Sequence, residues 1–251
     1  MGSLIFTPVI FLFISFIFSM LGMGGSQIYI PVLFWLGMDF KTEAIPLGML
    51  LNVVNSASAA VTYGRAKIID YEVAIPFGIA MILFPPFGTW LNVNLPTKPI
   101  ILIFALFTAS AGILILSGWK PQKGKLSKKG RILLGILSGS ILGFLAGLIG
   151  RGGGSFVVPL LYIAGLEAKN AAATSAFIVT GSGLSSFISH IVTAAHPYWL
   201  IWGLCVLAVL IGSQSGSRLM AKKMKSRSIK IVFGFVLLMI ATILIIKDVL
   251  Y

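Results

Sequence analysis

The chain has 251 residues, of which 58% are hydrophobic and only 10% are charged, and its formal charge is +13. So apolar a composition excludes a soluble globular domain of this length and predicts an integral membrane protein. The lysines and arginines are confined to a few loops without interleaved aromatic residues, which argues against a nucleic-acid-binding surface.

Apolar segments recur along the whole sequence. In chain order they lie at about residues 4–21, 26–37, 44–63, 73–92, 99–118, 132–149, 155–165, 171–192, 198–217 and 229–246. Because lipid cannot satisfy exposed backbone groups, spanning segments must be helical, and the predicted fold class is an all-α polytopic membrane protein. Segments 26–37 and 155–165 reach only about 17 Å as helices, so each is either a tilted partial span or one arm of a re-entrant hairpin.

The two halves of the chain repeat each other at a fixed offset of 128 residues, which carries Gly22 onto Gly150. Identical pairs at this offset are Gly22/Gly150, Gly24/Gly152, Gly25/Gly153, Pro31/Pro159, Gly37/Gly165, Lys41/Lys169, Ala44/Ala172, Ser58/Ser186, Gly88/Gly216 and Leu91/Leu219. A single offset held over this distance indicates an ancestral duplication. We therefore expect repeat 1 at 1–118, a basic cytoplasmic linker at 119–130 and repeat 2 at 131–251.

Two basic clusters predict the topology. One consists of Lys120, Lys123, Lys125, Lys128, Lys129 and Arg131, and the other of Arg218, Lys222, Lys223, Lys225, Arg227 and Lys230. Both should be cytoplasmic, which requires an even number of crossings between them. A chain reversal at the glycine-rich stretch makes the number of crossings even. It gives about five segments per half and eight to ten in total, so the halves would be two inverted-topology repeats. The expected location is the cytoplasmic (inner) membrane.

Clusters of glycine interrupt the apolar sequence at equivalent places in the two halves, and each precedes a short helix. A helix N-terminus presents unpaired amides and a positive dipole end, which favour an anion. The predicted binding residues at these breaks are Gly24, Gly25, Ser26, Gly152, Gly153, Gly154 and Ser155. The alternative is that the glycines only permit close helix packing or a tight turn.

Polar side chains in apolar surroundings extend this hypothesis. Arg151 aligns with Met23, and an intramembrane arginine is a candidate for pairing with an oxyanion, unless it lies near the external face and extends into water. Asn52 and Asn55 share a helix face. With Thr174 and Ser175 they are predicted to line the path of the anion, and ordinary interhelical hydrogen bonding is their alternative role.

Several kinds of chemistry have no pattern in the sequence. All six acidic residues lie at segment ends or in loops, so no carboxylate is placed to relay protons or sodium. A Walker A loop, a metal-ligand cluster and a nucleophile paired with a base are absent from the sequence, which predicts neither an enzyme nor a cofactor. His190 is expected to be a packing or interfacial residue, and Cys205 to pack as a small hydrophobic side chain.

The doubled glycine motif resembles a known family. It reads LGMGGSQIYIPVLFWLG at 21–37 and IGRGGGSFVVPLLYIAG at 149–165, and a later pair reads GTWL at 88–91 and GSRL at 216–219. Over essentially its whole length the chain is similar to the TauE/SafE family. The resemblance implies a permease for sulfite, an organosulfonate or another sulfur-containing anion.

The sequence thus predicts a secondary transporter or facilitator that moves a small anion by rocking one half against the other. Its expected partners are that anion and the lipid bilayer, and a homo-oligomer is left open. A second hypothesis is a membrane scaffold or subunit of an enzyme complex that docks an acidic partner through loop 119–130. An intramembrane enzyme has the least support.

Overall fold

The computed structural model describes residues 6–118, 126–195, 197–222 and 227–250, with the backbone alone over 227–233. Within these ranges the regular structure is helical. The helices are α1 Thr7–Leu21, α2 Ser26–Trp35, α3 Ile45–Arg65, α4 Tyr71–Leu83, α5 Pro85–Asn94, α6 Thr97–Leu116, α7 Lys128–Ile149, α8 Gly154–Ile163, α9 Ala168–Ile191, α10 Trp199–Lys222 and α11 Arg227–Ile243. π-Helical segments precede α3 at Phe40–Ala44 and follow α11 at Leu244–Leu250.

Part of the predicted basic clusters lies outside the described residues. These positions are Lys120, Lys123, Lys125, Lys223 and Lys225, and His196 is also outside. Arg227 and Lys230 are described by their backbone only.

Six of the described helical stretches are long and apolar enough to cross a membrane. They are Phe40–Arg65, Tyr71–Asn94, Thr97–Leu116, Lys128–Ile149, Ala168–Ile191 and Trp199–Lys222. Thr7–Leu21 and Gly154–Ile163 are shorter apolar helices. The prediction of an all-helical multi-pass membrane protein is confirmed, and the count of eight to ten segments stays a prediction.

Both glycine breaks begin with the same helix ending. Gly22 (φ 66°) and Gly150 (φ 67°) adopt the left-handed conformation, which residues with a side chain rarely tolerate, and so end α1 and α7. The next amide then turns back onto the helix in each half. Met23 N donates to Phe18 O at 3.4 Å and Arg151 N to Ala146 O at 3.2 Å. The two breaks are thus equivalent at their first residues.

Helices α3 and α9 pack against each other, and hydrogen bonds at their ends show that they run in opposite directions. The amide of Ala195, just after α9, donates to Thr42 O, just before α3, at 3.0 Å. At the other end the amide of Asp70, just after α3, donates to the Thr174 hydroxyl, near the start of α9, at 3.0 Å. Each end of α3 therefore lies beside the opposite end of α9.

Among the remaining helices, the 128-residue offset converts one helix–helix contact into another. Helix α1 packs on α10 as α7 packs on α4 and α5, and α6 packs on α11. Glycines allow the first two contacts: a Cβ on Gly216 would lie 2.1 Å from Phe16 O, and one on Gly88 would lie 1.9 Å from Phe144 O. The 128-residue offset relates these two contacts. The short helices α2 and α8 begin inside this frame, with their first residues buried.

Candidate functional site

The two glycine breaks meet inside the protein. The amide of Gly152 donates to the Ser26 hydroxyl at 3.1 Å. A Cβ on Gly154 would lie 2.5 Å from the Cα atom of Met23, so the second break packs directly on the backbone of the first. As a result the N-termini of α2 and α8 lie close together, and their positive dipole ends share one buried region.

At the first break, the N-terminus of α2 is already occupied by a side chain of the protein. The Asn52 side-chain oxygen accepts hydrogen bonds from the amides of Gly25 at 2.9 Å and Ser26 at 3.5 Å. Next to it, the Asn55 amide nitrogen donates to Gly24 O at 2.6 Å. Because Asn52 supplies a neutral acceptor where an anion would bind, the amides of Gly25 and Ser26 are satisfied without a ligand. Two side-chain atoms at this break, Asn52 Nδ2 and Asn55 Oδ1, are buried without a partner.

At the second break, the N-terminus of α8 has no such cap. Its N-cap residue Gly153 has no side chain, and the amides of Gly154 and Ser155 find no acceptor among the described residues. Thr180, which the offset aligns with Asn52, bonds its hydroxyl to Ala176 O in its own helix at 2.8 Å. The two breaks therefore differ: one is capped by the protein and the other is open.

Arg151 lies beside this uncapped helix end. One of the two hypotheses required Arg151 to extend into water. In this conformation it does not, because the residue is only 2% exposed. One terminal nitrogen, Nη1, donates to the Thr108 hydroxyl at 3.0 Å. The other, Nη2, donates to the Ser155 hydroxyl at 3.2 Å and to Gln27 Oε1. The guanidinium carbon also lies 4.8 Å from the centre of the Phe107 ring.

These residues, Arg151, Gln27, Ser155 and Thr108, form what we call the Arg151 cluster. No carboxylate belongs to it. The ion pair found among the described residues joins Lys128 to Glu72 at 3.3 Å, on the surface and away from Arg151. The Nε atom of Arg151 is buried and has no hydrogen-bond partner. A buried guanidinium without a counter-charge is costly, since its lost hydration is not replaced by an opposite charge.

Gln27 brings a second unpaired donor to the cluster. Its oxygen must face Arg151 and Ser155, because a guanidinium can only donate and the Ser155 hydroxyl donates to the same atom. The amide nitrogen Nε2 is left buried without a partner. The cluster thus holds unpaired donors on both Arg151 and Gln27, beside the free amides of α8.

The other predicted residues lie at varying distances from the cluster. The Ser175 hydroxyl donates to Gly22 O at 2.7 Å, so Ser175 contacts the first break. Thr174 accepts from Asp70, at the far end of α3, and does not face Arg151 in this conformation. His190 is buried with Nε2 2.7 Å from Gly147 O, and Cys205 is buried as a free thiol.

Three residues of the site were missing from the sequence predictions: Gln27, Thr108 and Phe107. Gln27 carried a usable signal, because the offset aligns it with Ser155 and it is an amide in an otherwise apolar helix. Thr108 and Phe107 belong to α6, far from either glycine motif in sequence. Their contact with Arg151 depends on tertiary packing, for which the sequence offered no signal.

A groove lies elsewhere in the described part of the chain. It has a volume of about 650 Å³, runs between α3, α4 and α9, and is lined mainly by apolar residues with Arg65 at one end. No member of the Arg151 cluster lines it. Within the described residues, histidine, cysteine and carboxylate side chains do not gather into a group that could hold a metal ion.

Comparison with known proteins agrees with this architecture. The family described as "Sulfite exporter TauE/SafE" matches residues 8–244. The "Probable membrane transporter protein YunE" of Bacillus subtilis is 26% identical over 90% of this chain and 92% of its own length. The "Probable membrane transporter protein MJ0441" of Methanocaldococcus jannaschii is 27% identical, with 72% of this chain and 69% of that protein covered. The chain therefore belongs to the TauE/SafE family of membrane transporters.

Proposed function

We propose that the protein is a secondary transporter or facilitator for a small sulfur-containing anion, and that the Arg151 cluster is its binding site. One observation carries this proposal: a fully buried guanidinium has an unpaired Nε and no carboxylate, and it lies beside the uncapped N-terminus of α8. The description "sulfite exporter" of the family supports the class of substrate.

The electrostatics of the cluster favour an anion. The ends of α2 and α8 each contribute roughly half a positive charge, and Arg151 adds a full one. Neutral hydroxyl and amide groups surround them, so a bound anion would supply the missing counter-charge. Because neutral partners hold an anion less strongly than a second charged group would, such a site also permits release.

We further propose that 1–118 and 131–251 are inverted repeats across the cytoplasmic membrane. The antiparallel packing of α3 on α9 supports this, and so does a pair of lysine contacts. Lys41 Nζ lies 3.2 Å from Val93 O, and Lys169 Nζ lies 2.8 Å from Ala221 O. The offset relates these contacts, and they lie at opposite ends of the α3 and α9 pair, as an inverted repeat requires.

The position of the cluster suggests how transport proceeds. Arg151 and Ser155 come from the second half, whereas Gln27 and Thr108 come from the first. Rocking the halves apart would break the bonds between these pairs and open the site to one side of the membrane at a time. The anion is thus bound at the surface along which the halves move.

Reconstituted transport tests the proposal. Purified protein in liposomes should take up labelled sulfite or a labelled alkylsulfonate, and Arg151→Met should reduce uptake to the level of empty liposomes. Arg65→Met is the matched control. Arg65 is exposed at the end of α3, so this variant should transport at the normal rate. Liposomes impermeable to every sulfur-containing anion tested, or an Arg151→Met variant with full activity, would overturn it.

A further inference from the structure

We infer that the groove between α3, α4 and α9 binds one anionic phospholipid, with an acyl chain inside the groove and the headgroup phosphate on Arg65. The groove is separate from the Arg151 cluster, so this inference does not depend on which anion the protein transports. It assigns a partner to a cavity that the proposed function leaves unused.

The groove forms because two consecutive helices diverge around a third. Helices α3 and α4 follow each other in the chain, and each packs on α9, which therefore forms the floor between them. At the inner end α4 closes onto α9, where the Ser185 hydroxyl donates to Ile82 O at 2.7 Å. At the other end lie Arg65, the last residue of α3, and Tyr71, the first of α4. The groove thus begins where two spanning stretches meet the membrane surface.

The length of the groove matches one leaflet of a bilayer. It follows α4 from Tyr71 to Ile82, a distance of about 16 Å at 1.5 Å per residue. Half of a hydrocarbon core is about 15 Å thick. Ile82 also lies at the middle of the spanning stretch Tyr71–Asn94. An acyl chain that enters beside Tyr71 would therefore end near the bilayer midplane, as it does in the lipid around the protein.

The walls of the groove suit a hydrocarbon chain. Between the two ends its lining residues are aliphatic, aromatic or glycine, apart from Thr180, whose hydroxyl donates to Ala176 O at 2.8 Å in its own helix. Gly78 marks unfilled space, because it is buried and yet an added Cβ would have nothing within 4 Å. The volume of about 650 Å³ is in the range of pockets that hold organic ligands. An acyl chain fills such a space without burying an unpaired polar group.

The outer end of the groove carries a positive charge that the protein does not pair. Arg65 is exposed, and no carboxylate among the described residues forms an ion pair with it. The two carboxylates nearest along the chain are already engaged. Asp70 accepts from the amide of Glu72, and the Glu72 carboxylate pairs with Lys128. A guanidinium can bind a phosphate through two parallel hydrogen bonds, so Arg65 is placed to hold a lipid phosphate.

The neighbours of Arg65 favour a headgroup with a net negative charge. Lys67, two residues later, is also exposed. The Tyr71 hydroxyl lies at the same end as a further donor, since a Cβ on Gly64 would be 3.4 Å from it. A zwitterionic headgroup would bring its own positive charge close to these two cations, and an anionic headgroup would not. In the proposed topology this end is cytoplasmic, where anionic lipids attract basic residues.

Native mass spectrometry and thermal denaturation of the full-length protein in detergent test the inference, with phosphatidylglycerol and phosphatidylcholine of equal chain length as probes. The native protein should retain one phosphatidylglycerol at least about tenfold more tightly than phosphatidylcholine, and this lipid should raise its melting temperature. Gly78→Leu should lose the retained lipid, because the new side chain fills the groove. Gly203→Leu is the matched control and should keep it, because Gly203 also faces open space but on an exposed helix face.

Arg65→Met separates the headgroup contact from the chain contact. It should retain the two lipids equally, because the groove remains and the charge is lost. Its anion uptake in phosphatidylcholine liposomes should stay normal, since Arg65 lies outside the Arg151 cluster. Failure of anion transport would thus remove the proposed function and leave this inference standing.

Three results would overturn the inference. The first is native protein that retains both lipids equally. The second is a Gly78→Leu variant that retains phosphatidylglycerol as the native protein does, and loss of a dimer in that variant would instead assign the groove to a second copy of the chain. The third is free glycerol phosphate, which has no acyl chain, raising the melting temperature as much as the lipid.

Discussion

The Arg151 guanidinium donates a hydrogen bond to the side-chain oxygen of Gln27, and this bond joins the two halves of the chain at positions where the 128-residue offset pairs unlike residues. The offset aligns Arg151 with Met23 and Gln27 with Ser155, so neither partner has its copy in the other half. The resulting asymmetry leaves one glycine break capped by Asn52 and the other open beside a positive charge.

Gln27→Glu should abolish anion binding without destabilising the protein. The new carboxylate would lie beside Arg151 and take the place of the ligand's negative charge, and a paired guanidinium is less costly to bury than an unpaired one. We expect ethanesulfonate affinity to fall by more than about tenfold and the melting temperature to stay unchanged or rise. Titration and thermal denaturation of the same preparation measure both.

Gln214→Glu is the matched control for that substitution. Gln214 also lies on a membrane-spanning helix, but its amide contacts the Ser58 hydroxyl at 2.7 Å rather than the cluster. The Gln214→Glu variant should therefore retain anion binding. Equal loss of binding in the two variants would mean that any new carboxylate in the helical bundle has this effect, against a specific role for Gln27.

Asn52→Ala should destabilise the protein even in the absence of an anion. It removes the acceptor that the Gly25 and Ser26 amides share at the start of α2, and losing an N-cap costs about 1–2 kcal/mol. Thermal denaturation should show a lower melting temperature than in Asn94→Ala, since Asn94 is exposed and bonds only within its own helix. Equal melting temperatures would contradict the role assigned to Asn52.

Gly88→Ala and Gly216→Ala should be destabilising to similar extents. At each position a new methyl group would meet a backbone carbonyl of the facing helix, and relieving such overpacking costs about 1–3 kcal/mol. Gly203→Ala is the control, because nothing lies within 4 Å of its added Cβ and alanine favours a helix. If only one of the paired variants lost stability, the two contacts would not be equivalent.

Cysteine labelling tests the inverted topology in a Cys205→Ser background. A cysteine introduced at residue 95 should react with an impermeant reagent from outside the cell, and one at residue 125 only after the inner side is exposed. Residue 95 follows an even number of predicted crossings and residue 125 an odd number, so the two should lie on opposite sides of the membrane. Labelling of both from the same side would rule out five segments per half.

Features governed by local chain geometry were predictable from the sequence. The ends of α1 and α7 were predicted because Gly22 and Gly150 permit a left-handed turn. The apolar pattern predicted a single segment at 73–92. In the structure α4 ends at Leu83 and α5 begins at Pro85, because proline there removes backbone donors.

The candidate site was only partly predictable. Arg151, Ser155 and the glycines were identified because they interrupt an apolar motif. The contact of Arg151 with Thr108 was not, because it depends on how α6 packs against the second break. The capping of one break and not the other was equally unpredictable. It arises because Asn52 accepts from an amide at the first break, whereas the aligned Thr180 bonds to Ala176 O in its own helix.

The most direct test of the account compares ethanesulfonate binding by the native protein with binding by Arg151→Met and Arg151→Lys. We predict that both variants lose the heat of binding and the anion-induced rise in melting temperature, because lysine lacks the Nε–H group and the planar fork of donors. Arg151→Met should be at least as stable as the native protein without anion, since it removes an uncompensated buried charge. Undiminished binding by Arg151→Met would contradict the assignment of the site.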